Sequence, residues 1–325
     1  MKGEGRKVKG ELYKSMNGKD TLEHESWRGS IQGNSWMHRS LIRLFRVLNL
    51  RMVYLFMAVF VIPFYMLFAH QGYISMYHYF RRRHGYGPLK AFRYVYLNHY
   101  RFGQVILDRF ATYAGRKFQV SCDGYDLLQQ LSRSPDGFMI LSAHVGNYEL
   151  AGYTFKAEKR YNALVFSGEA PTVMENRNRL LLKNNIRMIP VSADMSHIYL
   201  LNDALANGEI VSIPADRIFG SPRYVECQLL GAAVHLPLGP FVMALQRGVP
   251  TITVLVMKDA AYRYTAYIRR LRIDDERRQA LMAASGGRLT RQQEATLLAQ
   301  AYADELEAVL RHYPEQWFNY YELWN

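Results

Sequence analysis

The sequence predicts an α/β protein, with a mostly parallel central sheet flanked by helices and, ahead of it, an N-terminal hydrophobic membrane-anchoring helix. Three observations predict it. Beyond about residue 120, short apolar runs of strand type alternate with stretches of helical length. Before that, "MVYLFMAVFVIPFYMLFA", Met52 to Ala69, runs without a charged residue. Finally, 325 residues that are 49% hydrophobic and 14% aromatic are ample for a sizeable core, which excludes a disordered chain.

Residues 1–35, rich in Gly, Lys, Glu and Ser, read as a flexible polar leader. Residues 36–120 read as a membrane-associated basic and aromatic helical region, and residues 121–325 as the α/β domain. The formal charge of +13 is unevenly placed: residues 1–120 hold 20 Lys and Arg against 6 Asp and Glu, and the rest of the chain is close to neutral. A local excess points to a local electrostatic task. No finger, KH or RNP-type motif is present, so nucleic acid is set aside as the partner in favour of a membrane surface.

The uncharged run is flanked by Arg39, Arg43, Arg46 and Arg51 before it and by Arg81, Arg82, Arg83 and His84 after it. It is barely long enough to span a bilayer. It starts about fifty residues in and no cleavage pattern follows, so a retained anchor fits better than a removable signal peptide. Basic residues on both sides leave its orientation open. Pro63 is compatible with a kinked span, a shallow re-entrant helix or a helix packed on the protein; a buried core helix is the alternative to membrane embedding. Trp36, Tyr54, Tyr65, Tyr73, Tyr77 and Tyr79 supply interfacial aromatics, and the arginines could hold anionic head groups at about 1 kcal/mol each. Cys122 and Cys227 have no framework spacing and suit a reducing cytoplasmic setting.

In the α/β region the expected strands are 137–143, 162–167, 186–191, 209–215 and 250–257, with helices over 147–158, 172–184, 195–207 and 240–247. "AYRYTAYIRRL", Ala261 to Leu271, alternates at period two and is expected as an edge strand whose three arginines discourage edge-to-edge pairing. Thr290 to Arg311 has the spacing of an amphipathic helix.

Ligand chemistry in open α/β sheets collects beyond the carboxyl ends of strands, and His144 stands at such an end. On one continuous helix His144 and Glu149 would point about 140° apart, so the spacing favours a strand–loop–helix junction. Gly146 allows close backbone approach, and the N–H groups of Asn147 and Tyr148 could face negative charge. A neutral imidazole whose tautomer a carboxylate fixes is a general base for a hydroxyl or amine. Spacing alone also fits an innocent turn histidine and a helix-start glutamate favoured by the macrodipole.

"SAHVGNYELAG" resembles the His-x4-Asp/Glu block of membrane-bound acyltransferases, in the Glu-bearing form of the late acyltransferases of lipid A biosynthesis. Asn207 to Val256 is similar to that family's second region, a strand ending in Asp, a Gly/Pro loop and a Gly-Pro passage into a helix. "YPEQWFNYYELW", Tyr313 to Trp324, is similar to its Pro-Glu-Gln-Trp close. The resemblance covers roughly residues 135–324, implies a glycerol-phosphate acyltransferase-like fold, and extends to the hydrophobic anchor.

What it implies for the site is specific. His144 matches the general base and Glu149 the partner that orients it. Arg179, with Arg177 next, matches a basic residue that binds substrate or stabilises the oxyanion; a solvated helix-face charge is the other reading. Asp216 matches the acidic residue closing the later strand, which could equally be a turn residue, and Arg217 stands where the family often has Gln or His. Arg223 could meet phosphate or simply be solvated, and His235 reads as structural, with no carboxylate at useful spacing. The chain lacks the Phe-Pro-Glu-Gly-Thr-Arg block of glycerolipid relatives. No GxSxG, P-loop, HExxH or GxGxxG occurs.

The expectation is therefore a lipid A (lipopolysaccharide) acyltransferase at the cytoplasmic side of the inner membrane. It would need neither metal nor cofactor, would take its acyl group from acyl carrier protein, and would pass it to a hydroxyl of a lipid A precursor. The alternatives are the same fold acting on an aminolipid or lysophospholipid, or a non-catalytic lipid-binding relative.

Overall fold

The computed structural model describes residues 40, 42–68, 70–154, 158–165, 185–192, 194–218 and 223–324. The polar leader, Arg39 and the expected helix over 172–184 lie outside the described residues.

The apolar run forms α1 (Leu50–Phe68), capped by the Asn49 side chain, which accepts from the Arg51 N–H at 2.9 Å. A π-helical stretch, Met57–Val61, interrupts it just before Pro63, whose ring supplies no N–H to the helix ladder. Next come α2 (His70–His78) and the long α3 (Pro88–Tyr113), which starts with proline at its first position.

The α/β part then runs β1 (Gln119–Asp123), α4 (Tyr125–Arg133), β2 (Phe138–Ser142), α5 (Tyr148–Thr154), β3 (Tyr161–Val165), β4 (Ile186–Pro190), α6 (Ser196–Ala206) and β5 (Ile210–Pro214). It continues through β6 (Tyr224–Leu229), β7 (Ala232–Pro237), α7 (Leu238–Arg247), β8 (Thr251–Ala260), β9 (Arg263–Arg270), α8 (Asp275–Ala284) and α9 (Arg291–His312). A capping box between Thr290 and Gln293 sets the start of α9.

Seven strands form one sheet in the order β1-β9-β8-β2-β5-β3-β4, and β6 and β7 form a separate antiparallel hairpin. The pairs β8–β2–β5–β3–β4 are all parallel, whereas β9 is antiparallel to β8. β2 lies in the middle and all five of its residues are buried, which is why it reads as an unbroken apolar run. Phe138 and Ile140 point into one layer, with Leu128 and Leu131 of α4 and Leu150 of α5. Met139 and Leu141 point into the other, with Phe241 of α7 and Leu298 and Tyr302 of α9.

One expectation is corrected here. β9 is interior, because β1 pairs along its outer side in parallel register. Arg269 closes on β1, its guanidinium 2.5 Å from the Asp123 carboxylate, instead of guarding a free edge. β1 escapes sequence inspection because its faces are only half-buried and its alternation is mostly polar.

α1 packs along α3 and joins the sheet through a buried ion pair. Lys258 of β8 and Asp108 of α3 are fully buried, 2.5 Å apart. The hydroxyls of Tyr54 and Tyr264 donate to the Asp108 carboxylate, and Lys258 Nζ also donates to the Ala261 carbonyl at 3.2 Å. Burial pushes the Asp108 carboxyl up and Lys258 down, against their mutual attraction, so the hydroxyl and carbonyl partners offset part of the desolvation. Lys258→Met should destabilise the protein by about 3–5 kcal/mol by stranding Asp108, and adding Asp108→Leu should recover at least half of that loss. Urea unfolding of the detergent-solubilised chain measures both.

Candidate functional site

The register of the central strands brings the site together. In the β2–β5 pairing Ser142 lies opposite Pro214, so the chains leaving the two strands run side by side. The Ala215 N–H donates to the Ser142 carbonyl at 2.9 Å and extends the ladder. One step further, the Asp216 carboxylate meets His144 at two points. One oxygen accepts the His144 backbone N–H at 2.9 Å, and the other lies 2.8 Å from the imidazole Nδ1. Asp216 is 1% exposed and the His144 side chain 28%, so the carboxylate is sealed behind a ring that reaches the surface.

Burial by itself would raise the Asp216 carboxyl. The adjoining His144, hydrogen bonds from its ring and backbone, and the Arg217 guanidinium outweigh that and bring it down to about 2. An ionised carboxylate accepts and does not donate, so Nδ1 carries a proton, and in the neutral form of the ring the lone pair is on Nε2. The Tyr148 ring meets the imidazole edge to face, with centroids 5.8 Å apart.

The C-terminal "PEQWF" stretch straps the histidine loop in place. Phe318 N–H donates to the His144 carbonyl at 3.1 Å, Gly146 N–H donates to the Gln316 carbonyl at 2.8 Å, and Val145 bridges Trp317 in antiparallel fashion. The Gln316 amide binds both the N–H and the carbonyl of Lys258, each at 2.8 Å, and Asn98 of α3 donates to the Glu315 and Trp317 carbonyls. Beneath the loop, the buried Tyr302 hydroxyl of α9 donates to the Ser142 carbonyl at 2.9 Å.

A family model for bacterial lipid A biosynthesis acyltransferases matches residues 108–325. The chain belongs to that family. A search of the curated proteins gave no match. In this family member the matched region begins at Asp108 and contains the whole sheet, the His144–Asp216 pair and the strap.

The sequence-predicted residues fall in different places. His144 and Asp216 meet. Glu149 does not supply the carboxylate on Nδ1; α5 begins only at Tyr148 and its first turn directs Glu149 to α3, where its carboxylate sits 2.9 Å from the Arg109 guanidinium. The strand–loop–helix junction is present, but the neighbour across the sheet, not the neighbour in sequence, reaches the ring. Asn147 is also corrected: its backbone N–H donates to the Val256 carbonyl at 2.7 Å, and its buried amide faces the Tyr264 hydroxyl at 3.5 Å, so it belongs to the interior. Arg217 donates to the Phe318 carbonyl at 2.6 Å and so secures the strap. Arg223 is exposed at the start of the β6–β7 hairpin. His235, in that hairpin, stacks on Tyr224 and lies 3.7 Å from Glu226, a carboxylate that only the hairpin register brings near. Arg177 and Arg179 lie outside the described residues.

Gly146 sits at φ +53°, and a Cβ there would collide with the Val256 carbonyl. Gly146→Ala should therefore destabilise the loop by about 1–3 kcal/mol and lower turnover, as thermal unfolding and acyl-transfer assays would show. Asp216 has a depressed carboxyl, so its stabilisation is complete above its ordinary 3.8 and is lost as pH falls toward 2. Asp216→Asn should flatten that acid part of the curve, read as the denaturation midpoint against pH.

Proposed function

We propose that this acyltransferase moves a fatty acyl group from a thioester donor, acyl carrier protein, to a hydroxyl of a lipid A precursor, with His144 as general base and Asp216 as the residue that orients and charges it. The observation that carries this reading is the two-point contact of the buried, ionised Asp216 with His144, which leaves Nε2 as a base at the surface of the strand ends.

Nε2 takes the proton as the acceptor hydroxyl oxygen attacks the thioester carbonyl carbon. The tetrahedral oxyanion collapses, the C–S bond breaks, and the proton on Nε2 passes to the departing thiolate. The imidazolium that exists between these steps is stabilised by Asp216, and the histidine returns to its starting form. Arg179, or Arg177 beside it, is the proposed ligand of the oxyanion or of substrate, carried by the family resemblance. Arg223 is the proposed phosphate contact, and the basic N-terminal third suits both an acidic carrier protein and lipid phosphates. Inner-membrane attachment with the site on the cytoplasmic side completes the reading.

Two substitutions test it. His144→Ala should lower kcat by about 10² to 10⁴ with membrane attachment retained. Asp216→Asn should approach the same loss, because a carboxamide donating to Nδ1 leaves the proton on Nε2. Acyl transfer from acyl-carrier-protein thioester to a lipid A precursor, followed by mass spectrometry, is the measurement. Wild-type turnover in His144→Ala would end the proposal. Full activity of Asp216→Asn beside an inactive Glu149→Gln would return the orienting role to Glu149.

A further inference from the structure

α1 has two unlike faces. Leu50, Tyr54, Met57 and Ile62 are buried against the protein, while Phe56, Phe60, Phe64 and Phe68 form a ridge at four-residue spacing, each more than half exposed. Neighbouring rings of the ridge touch in pairs, Phe56 with Phe60 at 5.2 Å and Phe64 with Phe68 at 4.7 Å between centroids. Leu89 and Phe92, at the start of α3, are exposed as well. Among the described residues α1 is the one helix long and apolar enough to cross a bilayer, yet its buried face is held along its length.

The holding contacts are specific. Tyr54 donates to Asp108 at one end, the Tyr96 hydroxyl donates to the Ala58 carbonyl at 2.7 Å in the middle, and Tyr65 lies against His99 further on. All three partners are on α3, met in roughly reverse order, so the two helices run antiparallel in contact. α3 is unsuited to hydrocarbon: it carries Arg93, Arg101 and Arg109 and buries Asn98, His99, Gln104 and Asp108 against the domain. A crossing α1 would have to draw α3 with it, or else release Tyr54 and leave the Asp108–Lys258 pair short of a hydrogen bond. Arg43, Arg46 and Arg51 precede the apolar ridge and Arg81 and Arg82 follow it, all of them exposed, so cationic side chains flank the ridge in sequence at both ends and suit anionic head groups.

We infer that α1 is an in-plane seat. It lies flat in a single leaflet of an anionic phospholipid bilayer with its phenylalanine ridge among the acyl chains, and the chain before and after it stays on the side of the catalytic domain. The inference rests on the membrane attachment stated under the proposed function and decides between lying in the bilayer and spanning it.

The experiment uses the full chain in sealed vesicles of phosphatidylethanolamine and phosphatidylglycerol, isolated by flotation. A double variant, Val47→Cys with Glu276→Cys, puts one thiol before α1 and one on the exposed α8; the native thiols are half-buried or buried and are controlled with the parent chain. A membrane-impermeant maleimide-polyethylene glycol then reads both positions on each molecule, whatever the insertion orientation. An in-plane helix gives only unshifted and doubly shifted chains on a gel. A single-shift population would show a span and overturn the inference while leaving membrane attachment intact. Failure to float with the vesicles would overturn attachment and inference together, and acyl transfer measured in detergent would still judge the catalytic reading by itself. Phe60→Glu with Phe64→Glu should lower the vesicle-bound fraction roughly tenfold or more, and unchanged binding would also overturn the seat.

Discussion

Asp216 reaches across from the end of β5 to hold His144 by both its backbone and its ring, and the surrounding structure keeps those two strand ends together. A buried carboxylate is costly unless charged and neutral donors surround it; here one backbone N–H, one imidazole and a nearby guanidinium do so. The grip depends on parallel register. A slip of one residue between β2 and β5 would swap the layers into which Phe138 and Ile140, and Met139 and Leu141, are packed as well as part the pair, so the core and the site enforce the same alignment.

The strap and α3 carry that constraint outward. Gln316 replaces a missing strand partner for Lys258, and the residues around it hydrogen-bond the loop that bears the histidine. Lys258 of β8 anchors that strap through Gln316 and is also the cation of the buried pair with Asp108, so the clamp on α1 and the support of the histidine loop share one residue. On α3, Asp108 and Arg109 are consecutive and point to different sides of the helix. One meets Lys258 and Tyr54, the other Glu149 in the first turn beyond the histidine loop. α3 is thereby the plate on which the apolar helix α1 and the histidine loop are both mounted.

The departures between expectation and structure share a cause. Runs buried on both faces, such as 138–142 and 210–214, were legible because burial forces an unbroken apolar pattern. β1 was not, because a half-exposed edge strand imposes no such pattern, and without β1 the strand beside it looked like an edge. The hairpin β6–β7 was hidden by its polar outward positions and packs on α9 from outside the main sheet. Glu149 looked like the partner of His144 because local spacing is visible in a sequence, whereas the pairing of β2 with β5, 72 residues further on, is not.

By itself the sequence determined the α/β class, the strand-to-helix turn around His144, the apolar helix with its arginine flanks and the residue types available for acyl transfer, since period, length and charge are local quantities. Tertiary structure alone decided which carboxylate reaches the imidazole, what the Pro-Glu-Gln-Trp ending holds, and that the apolar helix has one bound face and one free. Each of those depends on contacts between segments tens to hundreds of residues apart, and only the register of the folded sheet and the packing of α3 against it specify them.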